Sequence, residues 1–335
     1  MRKLASIQKI KDIQPIVGAD MIEKATVLGW QLVVKKGEFQ VGDACIYCEI
    51  DSILPEEPAF EFLRPRHFRI KTVKLRGQIS QGIAFPLTII ENHEQMSLAE
   101  GTDVTELIGV TKYEPPISIN MKGQVKGSFP GFIPKTDETR IQSVPDILTN
   151  PDNQGKQCYI TEKVDGTSAT YYLNEDDFGV CSRNLDLLET EKNVHWMAAR
   201  QADIETKLRS VGRNIAIQGE IIGPGVQGNK YKLPQHKLLV FNVVEIDDYR
   251  YLNYADFVSL IDQIGLETVP ILTDDYCLGQ DDVNGLVALS TAKSVVNSKT
   301  HREGIVIRPL IEAQDSELGR LSFKVINPKF LLKFE

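Results

Sequence analysis

The segment at residues 114–135, EPPISINMKGQVKGSFPGFIPK, constrains the fold most strongly because it separates two parts of the chain that differ in character. It is rich in proline and glycine and has little periodicity, which is typical of a connecting segment. A chain of 335 residues is also long for a single hydrophobic core. We therefore expect two domains, at residues 1–110 and 131–335, joined by a linker at residues 111–130.

The first part of the chain is predicted to be all-β. Short runs of strand-forming residues, such as ATVLGWQLVVKKGEF (25–39) and DACIYCEIDSIL (43–54), are separated by turn residues. Several short strands within about 100 residues fit a small barrel, for which the OB-fold is the natural candidate.

The second part mixes helical and strand patterns, so we expect an α+β domain there. Residues 189–212 carry a helical stripe of apolar side chains that ends at Gly212, and residues 254–265 show another helical pattern. Runs such as NIAIQGEIIG and KLLVFNVVEI are predicted strands.

Charge and cysteine content narrow the class of protein. The net charge of −8 argues against a wholly basic surface, yet residues 64–76 contain six basic residues and no acid. Such a confined basic track can hold a phosphate backbone, although a solvated charged strand is the alternative. Five dispersed cysteines favour a cytoplasmic or other intracellular, reducing compartment, and no apolar run approaches the length of a membrane span. The candidate nucleic-acid contacts are Arg69, Lys71, Lys74 and Arg76.

A single lysine in the stretch YITEKVDGTSATYYL, residues 159–173, is the first indication of chemistry. Lys163 interrupts a strand-like run between Glu162 and Asp165, and Gly166 follows at once. A lysine amine is a good nucleophile once it is neutral, but its ordinary pKa of about 10.4 keeps it charged at neutral pH unless its surroundings lower that value. Asp165 can help to position a divalent metal, and the glycine permits close approach of a ligand. A surface lysine neutralised by its neighbours would show the same pattern.

Segments further along the chain decide whether Lys163 is a nucleophile or an ordinary surface lysine. Starting at the lysine, six segments follow one another in the order KVDGTS, CSRN, IQGEIIGPG, LLVFNVVE, REGIVIRP and LSFKVI. This series resembles the motifs of the covalent nucleotidyltransferase superfamily, which comprises ATP-dependent DNA and RNA ligases and mRNA capping enzymes. The resemblance covers the chain from about Phe132 to its end and implies a nucleotidyltransferase fold for the second domain.

The resemblance also implies roles for individual residues in nucleotide binding. Lys163 would form the covalent nucleotidyl adduct, and Glu162 would accept a hydrogen bond from the adenine 6-amino group. Arg183 would lie near the ribose and phosphates of the nucleotide. Glu220 would accept from a ribose hydroxyl, and Phe241 would stack on the purine.

Two further matched residues would act at the α-phosphate. Glu303 would lie close to the metal, and Lys324 would neutralise the charge that builds on the phosphate. The resemblance thus implies Asp165 and Glu303 as ligands of Mg²⁺ or Mn²⁺. The last motif departs from the family's common Lys-x-Lys form, because Ile326 stands where the second lysine is expected.

The order of the domains indicates one clade of this superfamily. DNA ligases and capping enzymes carry an OB domain after the core, whereas here the β-rich domain comes first and the chain ends eleven residues after Lys324. That order, with FPGFIPKTDETRIQ before the core, resembles the ATP-dependent RNA ligases that seal 3′-OH/5′-phosphate nicks. The resemblance implies ATP as AMP donor and nicked RNA or an RNA-containing duplex as partner, and we expect a monomer. The alternatives are a DNA ligase, a capping-type enzyme, or a non-catalytic nucleic-acid-binding protein with a degenerate nucleotidyltransferase domain.

Overall fold

The computed structural model describes residues 3–90, 98–113 and 123–334 of the chain. Of the predicted linker, residues 114–122 lie outside these ranges, and Val125–Ser128 forms a strand. The chain divides into two units. The first contains Met1–Pro116, Arg140–Ile147 and Pro328–Glu335, and the second contains Ile117–Thr139 and Leu148–Asn327.

The first unit is dominated by short antiparallel strands. Its main sheet has the order β3-β2-β1-β4-β8, and β6 and β7 form a separate hairpin. The strands of this unit in the described ranges are β1 (Ala5–Pro15), β2 (Ile22–Val27), β3 (Trp30–Lys35), β4 (Ala44–Cys48), β5 (Ser52–Ile53), β6 (Val73–Leu75), β7 (Gln78–Ser80), β8 (Ile83–Phe85) and β9 (Thr111–Lys112).

The alternation of buried and more exposed side chains along these strands shows which face packs on the core of the first unit. In β3 the side chains of Trp30, Leu32 and Val34 are buried, while those of Gln31 and Val33 are half-buried. This period of two matches the geometry of a strand with one face on a core. The run predicted at residues 25–39 therefore contains the end of β2 and the whole of β3, with a turn at Leu28 and Gly29 between them.

The second unit is built on two sheets. The larger sheet has the order β10-β15-β14-β13-β16-β17-β18, and within this unit the other sheet runs β23-β20-β12-β19. The strands are β10 (Val125–Ser128), β11 (Thr139–Arg140, which spans the boundary between the units), β12 (Gln157–Lys163), β13 (Thr167–Asn174), β14 (Asp177–Cys181), β15 (Leu185–Leu187), β16 (Ile215–Ile222), β17 (Lys237–Glu245), β18 (Arg250–Tyr251), β19 (Ile271–Cys277), β20 (Gly304–Pro309), β21 (Gln314–Asp315), β22 (Gly319–Arg320) and β23 (Phe323–Ile326).

The helices follow the predicted patterns with one difference. The predicted helical stripe over residues 189–212 forms two helices, because Asp203 adopts a left-handed conformation with φ of +50° between them. The second of these helices ends before Gly212, as predicted. The α-helices are α1 (Thr105–Ile108), α2 (Val194–Gln201), α3 (Ile204–Val211), α4 (Tyr254–Gln263), α5 (Val283–Ser290) and α6 (Pro328–Phe334). Short 3₁₀ helices cover Pro58–Arg66, Leu87–Ile90, Ile141–Ser143, Pro145–Leu148 and Gln227–Asn229.

A small hydrophobic cluster in the second unit supports the end of β12. It contains Val164, Ile222, Tyr231, Leu239 and Val269, all buried. Its members come from the turn after β12, from β16 and β17 of the larger sheet, and from the segments that contain Tyr231 and Val269, so the cluster packs next to the lysine of the first motif. None of the helices in the described ranges has the length and hydropathy that crossing a membrane requires.

Candidate active site

Strand register brings three of the predicted site residues together. Lys163 is the last residue of β12 and lies opposite Gly304 of β20, while Val306 of β20 lies opposite Lys324 of β23. The Lys163 Nζ donates a hydrogen bond of 2.8 Å to Oε2 of Glu303, the residue that precedes β20. Residues 140 positions apart in the chain are thus neighbours.

Two glycines permit the close approach on which this arrangement depends. A Cβ atom at Gly166 would overlap the carbonyl oxygen of Ile221 and crowd the side chain of Glu220. A Cβ atom at Gly304 would overlap the carbonyl oxygen of Val325 on the neighbouring strand. The glycines in KVDG and REGIV are therefore required by packing.

Three acidic side chains alter the proton affinity of the Lys163 ammonium group, and one of them, Glu303, is in direct contact with it. Burial by itself would lower the pKa of Lys163, but Glu303, Glu220 and Asp165 together hold that pKa above its usual range. Burial, together with repulsion from the other two carboxylates, raises the pKa of Glu220 to about 8. Burial also raises the pKa of Glu303, with a further contribution from Asp165. These residues therefore favour the charged form of Lys163 and do not by themselves supply the neutral amine that a nucleophile requires.

Asp165 has partners that the sequence did not reveal. Its carboxylate forms an ion pair with Lys230, and both side chains are 16% exposed. Its backbone amide donates to the hydroxyl of Tyr231 at 2.8 Å. Lys230 and Tyr231 follow a glycine-rich turn after β16, and no local pattern marks either residue.

Glu162 lies on the opposite side of β12 from Lys163, as strand alternation requires. The carboxylate is 1% exposed. Its Oε1 accepts a hydrogen bond from the Ser294 hydroxyl at 2.5 Å, and its Oε2 accepts from the Val295 amide at 2.7 Å. Burial raises the pKa of this carboxyl group, and the two donors oppose that effect.

Arg183 and Lys324 are brought together by an acid that the sequence analysis did not identify. Oδ1 of Asp137 is 3.1 Å from Nη2 of Arg183 and 3.4 Å from Nζ of Lys324. Lys324 is 15% exposed, whereas Arg183 is 54% exposed. Asp137 belongs to the FPGFIPKTDETRIQ segment, so its position in that segment was the available signal.

Phe241 lies at the edge of the hydrophobic cluster beside the turn after β12. Its side chain is half-buried and packs against the cluster that contains Val164 and Ile222. The guanidinium of Arg308 is 5.9 Å from the centre of its ring and donates to its carbonyl oxygen at 3.4 Å. Its ring is therefore only partly covered by protein.

The carboxylates near Lys163 suit a hard divalent cation. Among the described residues, no group of three or more His, Cys, Asp and Glu side chains is arranged as a complete metal cage. Mg²⁺ is ordinarily held by one or two carboxylates, with water and substrate phosphates supplying the remaining ligands. Burial raises the pKa of Glu220 and of Glu303 because it disfavours their ionised forms, and a nearby cation would favour those forms. Asp165 and Glu303 therefore fit a cation that shares its ligands with a nucleotide.

The basic track of the first unit is divided between two environments. Arg69 is 14% exposed, forms an ion pair of 3.1 Å with Asp51 and lies over the ring of Tyr113. Lys71 is half-buried. By contrast, Lys74 on β6 and Arg76 in the two-residue β6–β7 turn are exposed.

Comparison with known proteins identifies both parts of the chain. Residues 156–326 match the RNA ligase family model, and residues 4–87 match an OB-fold domain model. The chain is similar to Naegleria gruberi RNA ligase in structures with pyrophosphate, with ATP and Mn (a point mutant), and with AMP and Mn (another point mutant). In each case the identity is 38%, the match covers 99% of both chains, and the TM-score is 0.89. A comparison with curated proteins found no match.

These similarities confirm the predicted fold class, an OB-fold domain followed by an α+β ligase domain. They also confirm the predicted resemblance to ATP-dependent RNA ligases. The chain therefore belongs to the RNA ligase family.

Proposed function

We propose that this ATP-dependent RNA ligase seals 3′-OH/5′-phosphate nicks through a lysyl-AMP intermediate on Lys163. The observation that carries the proposal is the hydrogen bond of 2.8 Å from the Lys163 Nζ to Glu303, beside a turn at which Gly166 packs against Glu220. The structures of Naegleria gruberi RNA ligase contain ATP, AMP and pyrophosphate, which are the substrate, the transferred group and the leaving group of such a reaction.

In the first step, the neutral amine of Lys163 attacks the α-phosphorus of ATP. A nitrogen–phosphorus bond forms, the bond from the α-phosphorus to the bridging oxygen breaks, and pyrophosphate leaves. Before this attack Lys163 must lose a proton to solvent, and the neighbouring acidic groups, which raise its pKa, oppose that loss. When bound by Asp165 and Glu303, a divalent cation supplies positive charge that offsets these carboxylates and the phosphates.

In the second step, an oxygen of the RNA 5′-phosphate attacks the phosphorus of lysyl-AMP, and the nitrogen–phosphorus bond breaks. In the third step, the 3′-OH attacks the 5′-phosphorus, the new phosphodiester forms, and AMP leaves. Arg183 and Lys324 lie close together and supply positive charge for the phosphates in these steps. For the bound nucleotide, we propose that Phe241 stacks on the purine and that Glu220 accepts from the ribose.

Further parts of the proposal concern the RNA and the state of the protein. Lys74 and Arg76 are exposed and suit contact with an RNA phosphate backbone. We also propose domains at residues 1–110 and 131–335 and a monomeric protein. Because Val125–Ser128 pairs with β15, we propose a linker that ends before Val125 rather than at residue 130. All five cysteines are free thiols, which supports a reducing intracellular compartment.

Intact-mass spectrometry of the protein incubated with ATP and Mg²⁺ or Mn²⁺ tests the first step. We expect one added AMP on the native chain, none on Lys163→Ala, and none with GTP. Sealing assays with RNA and DNA 3′-OH strands then separate an RNA ligase from a DNA ligase. Localisation of AMP to another residue by peptide mapping would contradict the assignment of Lys163.

A further inference from the structure

The short segment that carries Asp137 is held on both sides of that residue. On one side, Nε2 of Gln218 donates to the carbonyl oxygen of Pro134 at 2.8 Å. On the other side, Glu138 forms an ion pair of 2.6 Å with Arg308, whose side chain is only 2% exposed. Because both anchors belong to the sheets of the second unit, the position of Asp137 is set by the fold.

From this position Asp137 serves as the anion between two cationic side chains. A single oxygen, Oδ1, contacts both Arg183 at 3.1 Å and Lys324 at 3.4 Å. Arg183 comes from the turn after β14, and Lys324 comes from the other sheet. Without an anion between them, the two positive charges would repel each other.

We propose that Asp137 stands in for a substrate phosphate: it holds Arg183 and Lys324 together before substrate binds and is displaced from them by a phosphoryl group. This inference rests on the proposed function, in which both cations contact phosphates. It assigns to Asp137 a positioning role that adds to the roles of the six motifs.

The chemistry of the two anions favours such an exchange. Asp137 is 49% exposed and Arg183 is 54% exposed, so an incoming phosphate can reach the pair from solvent. Exposed carboxylate ion pairs are weak. A phosphoryl group presents several oxygens to an arginine and forms stronger, charge-assisted hydrogen bonds. The phosphate can come from the nucleotide or from the 5′ end of the RNA, and the two sources require separate measurements.

The substitution Asp137→Asn tests the exchange because it removes the competing charge and preserves the shape of the side chain. Binding is measured in a Lys163→Ala background, in which no adduct forms. One arm titrates ATP by calorimetry, and the other titrates nicked RNA that carries either a 5′-phosphate or a 5′-hydroxyl. We expect the Kd to fall by about two- to tenfold in the arm whose phosphate displaces the carboxylate, and not with the 5′-hydroxyl.

Two variants control for charge and for structure. Asp137→Glu retains the anion and should bind as the Lys163→Ala parent does. Asp248→Asn removes one acid that lies 3.5 Å from Arg250. Asp248 lies beyond the last residue of β17, whereas Glu220 lies opposite Leu239 near the start of that strand. This control should therefore leave both Kd values unchanged. Melting temperatures of all variants establish that each one folds.

Unchanged or weaker binding by Asp137→Asn in both arms would overturn the proposal, because Asp137 would then only support the two cations. Equal tightening by Asp248→Asn would overturn it too, because the effect would be one of net charge. Failure of the proposed function appears differently, as the absence of an AMP adduct on the chain with native Lys163 and Asp137.

Discussion

The Ser294 hydroxyl oxygen lies 2.5 Å from Oε1 of Glu162 and joins the residue before Lys163 to the loop that follows α5. The same loop reaches the other side of Lys163. Nδ2 of Asn297 donates to the carbonyl oxygen of Tyr231 at 2.9 Å, and the Tyr231 hydroxyl accepts from the backbone amide of Asp165. Both flanks of the lysine are therefore held by one loop.

Substitution of Glu162 by Gln should lower the stability of the protein as well as its use of ATP. The Val295 amide can only donate, so the amide nitrogen of Gln would have to face Ser294, whose hydroxyl already accepts from the Val296 amide. The buried hydrogen bond from the Ser294 hydroxyl to the carboxylate would be lost, at a cost of about 1–3 kcal/mol. Ser294→Ala should also weaken ATP binding, since it loosens Glu162 without removing its carboxylate. Thermal unfolding and ATP titration measure the two effects. A Glu162→Gln protein that unfolds like the native one would show that the two donors do not stabilise the carboxylate.

Lys163→Arg should form no AMP adduct. The guanidinium stays charged at any accessible pH and cannot attack phosphorus, yet it can keep the ion pair with Glu303. We therefore expect the variant to fold and bind ATP but to gain no mass from it. Sealing of a nick whose 5′ end is already adenylylated supplies the control, because that reaction needs no lysyl-AMP. Labelling of Lys163→Arg at the native rate would contradict the assignment of the nucleophile.

The ion pair between Glu138 and Arg308 should make the free energy of unfolding fall as the pH is lowered in the acidic range. Burial opposes ionisation, but Arg308 holds the pKa of Glu138 at about 2, below its ordinary value of 4.5. Because the folded-state pKa is the lower one, the stabilisation is fully present above pH 4.5 and is lost as the pH falls through about 2. The difference in pKa corresponds to about 3 kcal/mol.

Denaturant unfolding at several pH values measures this contribution with a matched pair of variants. Glu138→Gln leaves the buried Arg308 charge without its anion and should cost about 3–5 kcal/mol at neutral pH. Glu267→Gln breaks an ion pair of the same length, 2.6 Å, with Lys237, but Glu267 is 66% exposed. Its cost should stay below about 1 kcal/mol. Equal costs for both variants would show that burial does not strengthen the first pair.

Replacement of Lys74 and Arg76 by Ala should weaken RNA binding and leave adenylylation by ATP unchanged. Both side chains are exposed on the β6–β7 hairpin. Each phosphate contact that is lost should reduce the slope of log K against log salt by about one. The matched control replaces Lys35 and Lys36, which are also exposed and adjacent to a different turn. If both double variants lose affinity equally, the hairpin has no specific part in binding RNA.

Several features of this protein follow from its sequence alone. The order of the six motifs, the all-β first part and the mixed second part are all read from local patterns and residue types. Comparison with RNA ligases confirmed the two domain types and the family. The sequence also marked Gly166 as a position of close approach to a ligand, although the overlap that a side chain there would make with the carbonyl oxygen of Ile221 is seen only in the folded chain. Local patterns suffice here because nucleotide chemistry and backbone geometry restrict the residue types directly.

Other features were decided only by the tertiary structure. Asp137, Lys230 and Ser294 lie within ordinary loop sequences, and their partners are far away in the chain. The environment of Lys163 has the same origin, since β12 brings it to Glu303 through pairing with β20. Strand register and loop closure determine which charges meet, and with them the direction in which each pKa moves. A linear sequence names the charged residues, but the free energy of each charge depends on distances and burial that arise only when the chain folds.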